Sequence, residues 1–125
     1  MLRDAFWVGL GAVFGANLRF VISRWAMKNV SASLPYGTLF INVTGSFILG
    51  FFLAWTSDRV LADPRWRALI AVGFCGGYTT FSSYAFETYT LMGQGNYSMA
   101  FANFVANNLI GFLAVMAGVA LARAV

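Results

Sequence analysis

The chain has 125 residues, 60% of them hydrophobic and 10% charged, with a formal net charge of +4. A soluble domain carries about 25% charged residues and, at this size, leaves much of its surface in water, so the composition excludes a soluble fold and makes lipid the natural solvent. There is no His and a single Cys, Cys75, which excludes His/Cys zinc centres, Ser-His-Asp triads, Cys-His pairs and an internal disulfide.

Four apolar runs are predicted, at about residues 6–26, 36–55, 66–92 and 99–121. Each reaches the roughly 20 residues needed to cross a hydrocarbon core about 30 Å thick. None alternates polar and apolar with period two, so helices rather than barrel strands are expected. No linker or repeat interrupts residues 1–125, which read as one four-helix unit. The first run is expected to be a retained helix, not a cleaved signal.

In the first run Gly11 and Gly15 make a GxxxG step for close helix packing. Asn17 and Arg19 lie deeper than lipid tolerates without compensation, so Arg19 either snorkels to the headgroups or lines an anion-attracting vestibule. Residues 28–35 connect to the second run. There Thr38, Asn42 and Gly45 or Ser46 share a face, and Ser46 and Gly50 repeat the small-residue spacing. The carboxamide of Asn42 can offer N–H groups to an anion, or simply join two helices.

Residues 57–65 lead to the third run, with Pro64 placed to start it. Gly76 and Gly77 precede Thr79, Thr80, Ser82 and Ser83 in the middle of that run. Each glycine costs about 1 kcal/mol relative to alanine in a helix, so a break is expected here, permitted only where it is buried or lines a cavity. Phe81 and Tyr84 stand three residues apart beyond the break. An aromatic edge is electropositive and can touch an anion, although most phenylalanines in such a chain serve packing. Glu87 is the one acid well inside a run, either a proton relay or a paired structural group with Arg19 as candidate partner.

A turn at 93–96 opens the fourth run. Asn103, Asn107 and Gly111 form a stripe at i, i+4, i+8, with Asn108 beside it. Such a stripe lines a pore or bonds helices together. Basic residues gather near run ends, where they meet headgroups rather than nucleic acid. One side would hold Arg3, Arg59, Arg65, Arg67 and Arg123, the other Arg24 and Lys28. This bias is weak, so it admits ordinary insertion or insertion both ways as an antiparallel pair.

These features together resemble the Fluc family of fluoride channels, also called CrcB, over essentially the whole chain. The stretch from Gly76 through Gly77, Tyr78, Thr79, Thr80, Phe81 and Ser82 is similar to the family's GG-x-TTFS signature, and Gly37, Thr38 and Asn42 to its G-T-x-x-x-N. GANLRF in the first helix and Gly95-Asn96-Tyr97 before the fourth fit as well. The resemblance implies an all-α membrane protein of four transmembrane helices with a break in the third, paired as an antiparallel dual-topology homodimer. It implies a passive fluoride channel, not an enzyme, in the cytoplasmic (inner) membrane of a microbe, lowering fluoride toxicity.

By the same resemblance, Asn42 donates to fluoride and Phe81 presents its ring edge. Tyr84 stands where the family has a second phenylalanine, and its hydroxyl would bind fluoride or narrow the path. Asn103 and Asn107 replace the usual Tyr and Ser of the pore-facing stripe. Thr38, Ser82, Ser83 and Glu87 would belong to a polar track, and Arg19 to the vestibule. Backbone carbonyls of Gly76 and Thr79 from both subunits would hold a structural sodium ion, a hard cation suited to oxygen ligands. The alternatives are a small dual-topology drug or cation exporter, which needs a carboxylate deep in the first helix where this chain has none, and a structural subunit of a larger membrane complex.

Overall fold

A computed structural model describes residues 1–30, 33–57, 59 and 63–125. Positions 31–32 of the first expected connection, and 58 and 60–62 of the second, lie outside the described residues.

Helix α1 (Leu2–Asn29) carries no proline, and it sets Asp4 in its first turn and Lys28 in its last. Both charges complement the helix dipole. The chain leaves it at Val30, whose backbone is extended while its N–H still bonds the Ala26 carbonyl. Helix α2 (Tyr36–Ser57) follows Pro35, which contributes the acceptor for the Leu39 amide at 3.2 Å. Pro64 opens the short helix α3 (Pro64–Trp66) as expected, and the Asp63 side chain caps it by accepting from the Arg65 amide at 2.9 Å.

A π-helical segment, Arg67–Phe74, follows directly, then α4 (Cys75–Tyr78). Thr79 (φ −79°, ψ 158°) and Thr80 (φ −149°, ψ 110°) are extended, and helix resumes as α5 (Phe81–Gly93). A turn through Gly95, with φ of 74° in the region that favours glycine, leads to α6 (Tyr97–Val105), capped by Asn96. A second π-helical turn, Ala106–Ile110, joins α6 to α7 (Gly111–Ala124) without a gap.

Among the described residues three rods are long and apolar enough to cross a membrane, namely α1, α2 and the continuous Tyr97–Ala124. At 1.5 Å per residue the shortest, of 22 residues, spans about 33 Å. The run expected at 66–92 is distributed over several pieces. The rods also extend past the predicted limits of the first and fourth runs, because backbone bonding continues into polar ends once a helix has begun.

Helix α2 packs along α7, and α1 packs along Arg67–Phe74 and α4. Glycine makes both seams. A Cβ at Gly11 would strike the Leu69 carbonyl oxygen, and one at Gly15 the Phe74 carbonyl oxygen. At the other seam Gly50 meets the backbone of Val115, and Gly118 meets that of Phe47. The spaced small residues therefore mark packing faces, the use expected in lipid. Large apolar side chains such as Phe14, Phe20, Trp25, Phe101 and Phe112 point outward, where a bilayer can cover them. Arg59 donates to the Val125 carbonyl at 2.9 Å, placing that residue beside the C-terminal one.

Candidate functional site

The polar groups of all four runs converge on the extended residues Thr79 and Thr80. Asn42 of α2 makes a two-point clamp on Thr80. Its Oδ1 accepts from the Thr80 amide at 2.9 Å, and its Nδ2 donates to the Thr80 carbonyl at 3.1 Å. The remaining N–H of Asn42 donates to Asn107 Oδ1 at 3.0 Å. The approach is close because Gly45, one helical turn along α2, leaves room for the Thr79 methyl group.

The clamp changes the backbone bonding of the third run. In an unbroken helix the Thr80 amide would bond the Gly76 carbonyl, and the Ser83 amide would bond the Thr79 carbonyl. Here the first amide goes to Asn42, and the second to Thr80 Oγ1 at 3.2 Å, where it caps α5. Both carbonyls are thereby released from their helical donors. The Gly77 carbonyl accepts instead from Arg19 Nε at 3.0 Å.

Beyond Asn42 the carboxamides run in one direction. Asn107 Nδ2 donates to both the side-chain and backbone oxygens of Asn103, each at 3.0 Å. Asn103 Nδ2 donates to Thr88 Oγ1 at 3.0 Å, and Thr88 donates to the Tyr84 carbonyl at 2.8 Å. A chain of oriented amides thus links α2, the fourth rod and α5. Asn103 is 0% exposed, and of the two uses open to the stripe its contacts are those of bonding helices together. Its side chain is enclosed and its polar atoms are used in holding Asn107 and Thr88.

Phe81 and Tyr84 meet edge to face, with centroids 5.3 Å apart and an interplanar angle of 68°. Phe81 is 77% exposed and Tyr84 only 7%. The Tyr84 hydroxyl accepts from Asn108 Nδ2 at 3.0 Å, so it is anchored to the fourth rod rather than loose in a path. Thr80 Oγ1 donates to Ser83 Oγ at 3.0 Å, while Ser82 lies exposed with its hydroxyl 3.5 Å from Thr80 Oγ1.

Thr38 donates to Glu87 Oε1 at 2.6 Å, and Glu87 Oε2 is buried with no hydrogen-bond partner among the described residues. Arg19 as the partner of Glu87 is corrected, since no ion pair joins them and the guanidinium holds Gly77 instead. A cation at the C-terminal end of α4 is favoured by the exposed carbonyls there. Arg19, Thr38, Thr80, Ser83 and Glu87 nevertheless line one cavity of about 870 Å³, which thus holds a basic and an acidic group in its lining.

Three residues carry more of the site than their sequence context indicates. Thr80 is the hub of the site, yet its part depends on backbone atoms that every residue possesses. Thr88 looked like an ordinary helix residue. Asn108 fell off the stripe counted at i, i+4, i+8 because a π-helical turn advances bonding by five residues, which π-turns frequently do at functional sites.

Residues 6–119 match the protein family described as "CrcB-like protein, Camphor Resistance (CrcB)". A protein of Koribacter versatilis named "Fluoride-specific ion channel FluC" is 49% identical over 124 residues, covering 99% of this chain and 98% of its own. Proteins of the same name from Sulfurihydrogenibium sp. and Trichormus variabilis are each 43% identical, over 116 and 123 residues. These alignments cover 93% and 98% of this chain, and 94% and 90% of the relatives.

Proposed function

The chain belongs to the CrcB-like family, and on that premise we propose that it is a fluoride-selective channel, exporting the ion passively across the cytoplasmic membrane of a microbe. The observation that carries this reading is similarity along nearly the full length to relatives named as fluoride-specific channels. The geometry supports it. Amide donors and an aromatic edge are gathered at one level of an otherwise apolar bundle, where polar groups are costly and functional by default. Fluoride is small and strongly hydrated, so a pore must replace its water with donors and ring edges while still releasing it. Asn42 supplies N–H groups, and the exposed Phe81 supplies an edge. Thr38, Ser82, Ser83, Asn107 and Glu87 form the polar track, with Tyr84 as the second ring.

The working unit in this reading is an antiparallel homodimer, in which the interrupted third run of one copy crosses that of the other. Exposure of Phe81 leaves its ring available to that arrangement. Gly76 and Thr79 fit as carbonyl ligands for a sodium ion, because the amides that would occupy them are diverted to Asn42 and Thr80. Neutral backbone oxygens suit a hard monovalent cation. When bound, sodium would supply a fixed positive charge tying the two copies together; this chain's residues hold the carbonyls in place. Arg19 contributes by fixing the end of α4 and by giving the cavity a positive wall.

The test is purified protein in liposomes loaded with fluoride or chloride, with a potassium ionophore to balance charge. The expected result is rapid fluoride efflux and a retained chloride gradient. Equal release of both anions, or of neither, would overturn the reading.

A further inference from the structure

Both N–H groups of Asn42 are already engaged, one by the Thr80 carbonyl and one by Asn107 Oδ1. An anion can reach Asn42 only by displacing one of these acceptors. They differ in how firmly they are held. The Thr80 contact is one half of a two-point clamp on backbone atoms. Displacing it would disturb the whole Thr79–Thr80 segment. The Asn107 contact is a single bond to a side chain, on a π-helical turn, and a side-chain movement that strains the bonds of Asn107 to Asn103 but shifts no backbone releases it.

Asn107 is also oriented. Its own amide nitrogen is tied to two oxygens of Asn103, itself fully buried. That leaves Oδ1 facing Asn42 as the resting state. We propose that Asn107 is a specificity-determining positioning residue, an internal acceptor standing where the anion must stand and setting the strength of acceptor required to displace it. A compact, charge-dense fluoride out-competes a neutral carboxamide oxygen. A larger, more diffuse chloride is a poorer acceptor and leaves the internal bond intact. The same competition would keep fluoride from binding too tightly to leave, the balance any conducting pore needs. This inference rests on Asn42 being a fluoride donor in a fluoride channel.

The experiment measures the initial rate of fluoride efflux from liposomes against fluoride concentration, with and without chloride, for the full chain and for Asn107→Leu and Asn107→Ala. The two variants differ in volume, so a folding failure in one leaves the other to decide. Losing one competing hydrogen bond should lower the half-saturating fluoride concentration about fivefold. Chloride should become an inhibitor in both variants and remain inert towards the unaltered chain. Asn107→Ser returns an oxygen on a shorter side chain and should fall between the two behaviours. Unchanged half-saturation and chloride response would overturn the proposal, as would a fall in maximal rate alone, which a purely structural role predicts. Absence of efflux from the unaltered chain would reject the channel reading itself, whereas efflux there with indifferent variants rejects only the role of Asn107.

Discussion

Replacing Asn42 with leucine keeps the branched, four-heavy-atom shape of the side chain and removes every polar contact it makes. The perturbation opens no cavity, and the added bulk of the two methyl groups falls where the 870 Å³ cavity adjoins Thr80. Three bonds disappear, two to the Thr80 backbone and one to Asn107. Two scales apply. An unsatisfied backbone group in hydrocarbon costs several kcal/mol, whereas polar side-chain contacts measured within a membrane bundle average about 0.6 kcal/mol each. Thr80 lines the 870 Å³ cavity, where water can take over the abandoned groups, so the smaller scale governs. Three contacts at that value make about 2 kcal/mol. On the scale of a soluble domain of this size that lowers the melting midpoint by about 5–10 °C. Thermal unfolding in detergent, read as loss of the monodisperse size-exclusion peak, measures it. The variant should also lose fluoride efflux in liposomes. A midpoint within about 1 °C of the unaltered chain, a shift worth only a few tenths of a kcal/mol, would refute the clamp. Retained efflux would refute Asn42 as a donor.

The other predictions concern single contacts. Thr38→Val should leave the Glu87 carboxyl without its hydrogen-bond donor and destabilise by about 1–3 kcal/mol, seen in the same melting assay. In Tyr84→Phe only one bond is lost, and Asn108 keeps the Phe104 carbonyl at 2.8 Å. Stability should fall by less than about 1 kcal/mol and fluoride efflux should persist. Gly118→Val should drive a Cβ into the Phe47 carbonyl and separate α2 from α7, reducing the yield of monodisperse protein sharply. Gly93→Ala, with no atom within 4 Å of the added carbon, is its neutral counterpart.

Much of the site was legible because several of its signals are local. The glycine pair and hydroxyl cluster around Thr79 conflict with a helix interior, and the conflict is visible in the residues themselves. Asn42 stands out because a carboxamide in an apolar run demands a partner wherever the run lies. What that partner is cannot be read locally. Asn42 reaches across 38 residues to Thr80 and 65 to Asn107. Arg19 reaches across 58 to a glycine carbonyl with no side chain to advertise it. The candidate pairing with Glu87 rested on charge, but a freed carbonyl at a helix end was the nearer acceptor.

By itself the sequence determined that lipid is the solvent, that apolar runs span it as helices, and where polar residues enter them. Those properties are sums over neighbouring side chains, and they survive any arrangement of the helices. Tertiary structure alone decided that Asn103 is enclosed while Asn107 faces Asn42, since both sit on one predicted stripe and only the packing of α2 and α5 against the fourth rod distinguishes them. It also decided that Asn108 anchors Tyr84, through a π-helical turn that shifts the register of the stripe. The physical reason is the same in each case. Transfer from water to lipid is additive along the chain, whereas a hydrogen bond depends on the distance and direction of two groups that only the folded bundle brings together.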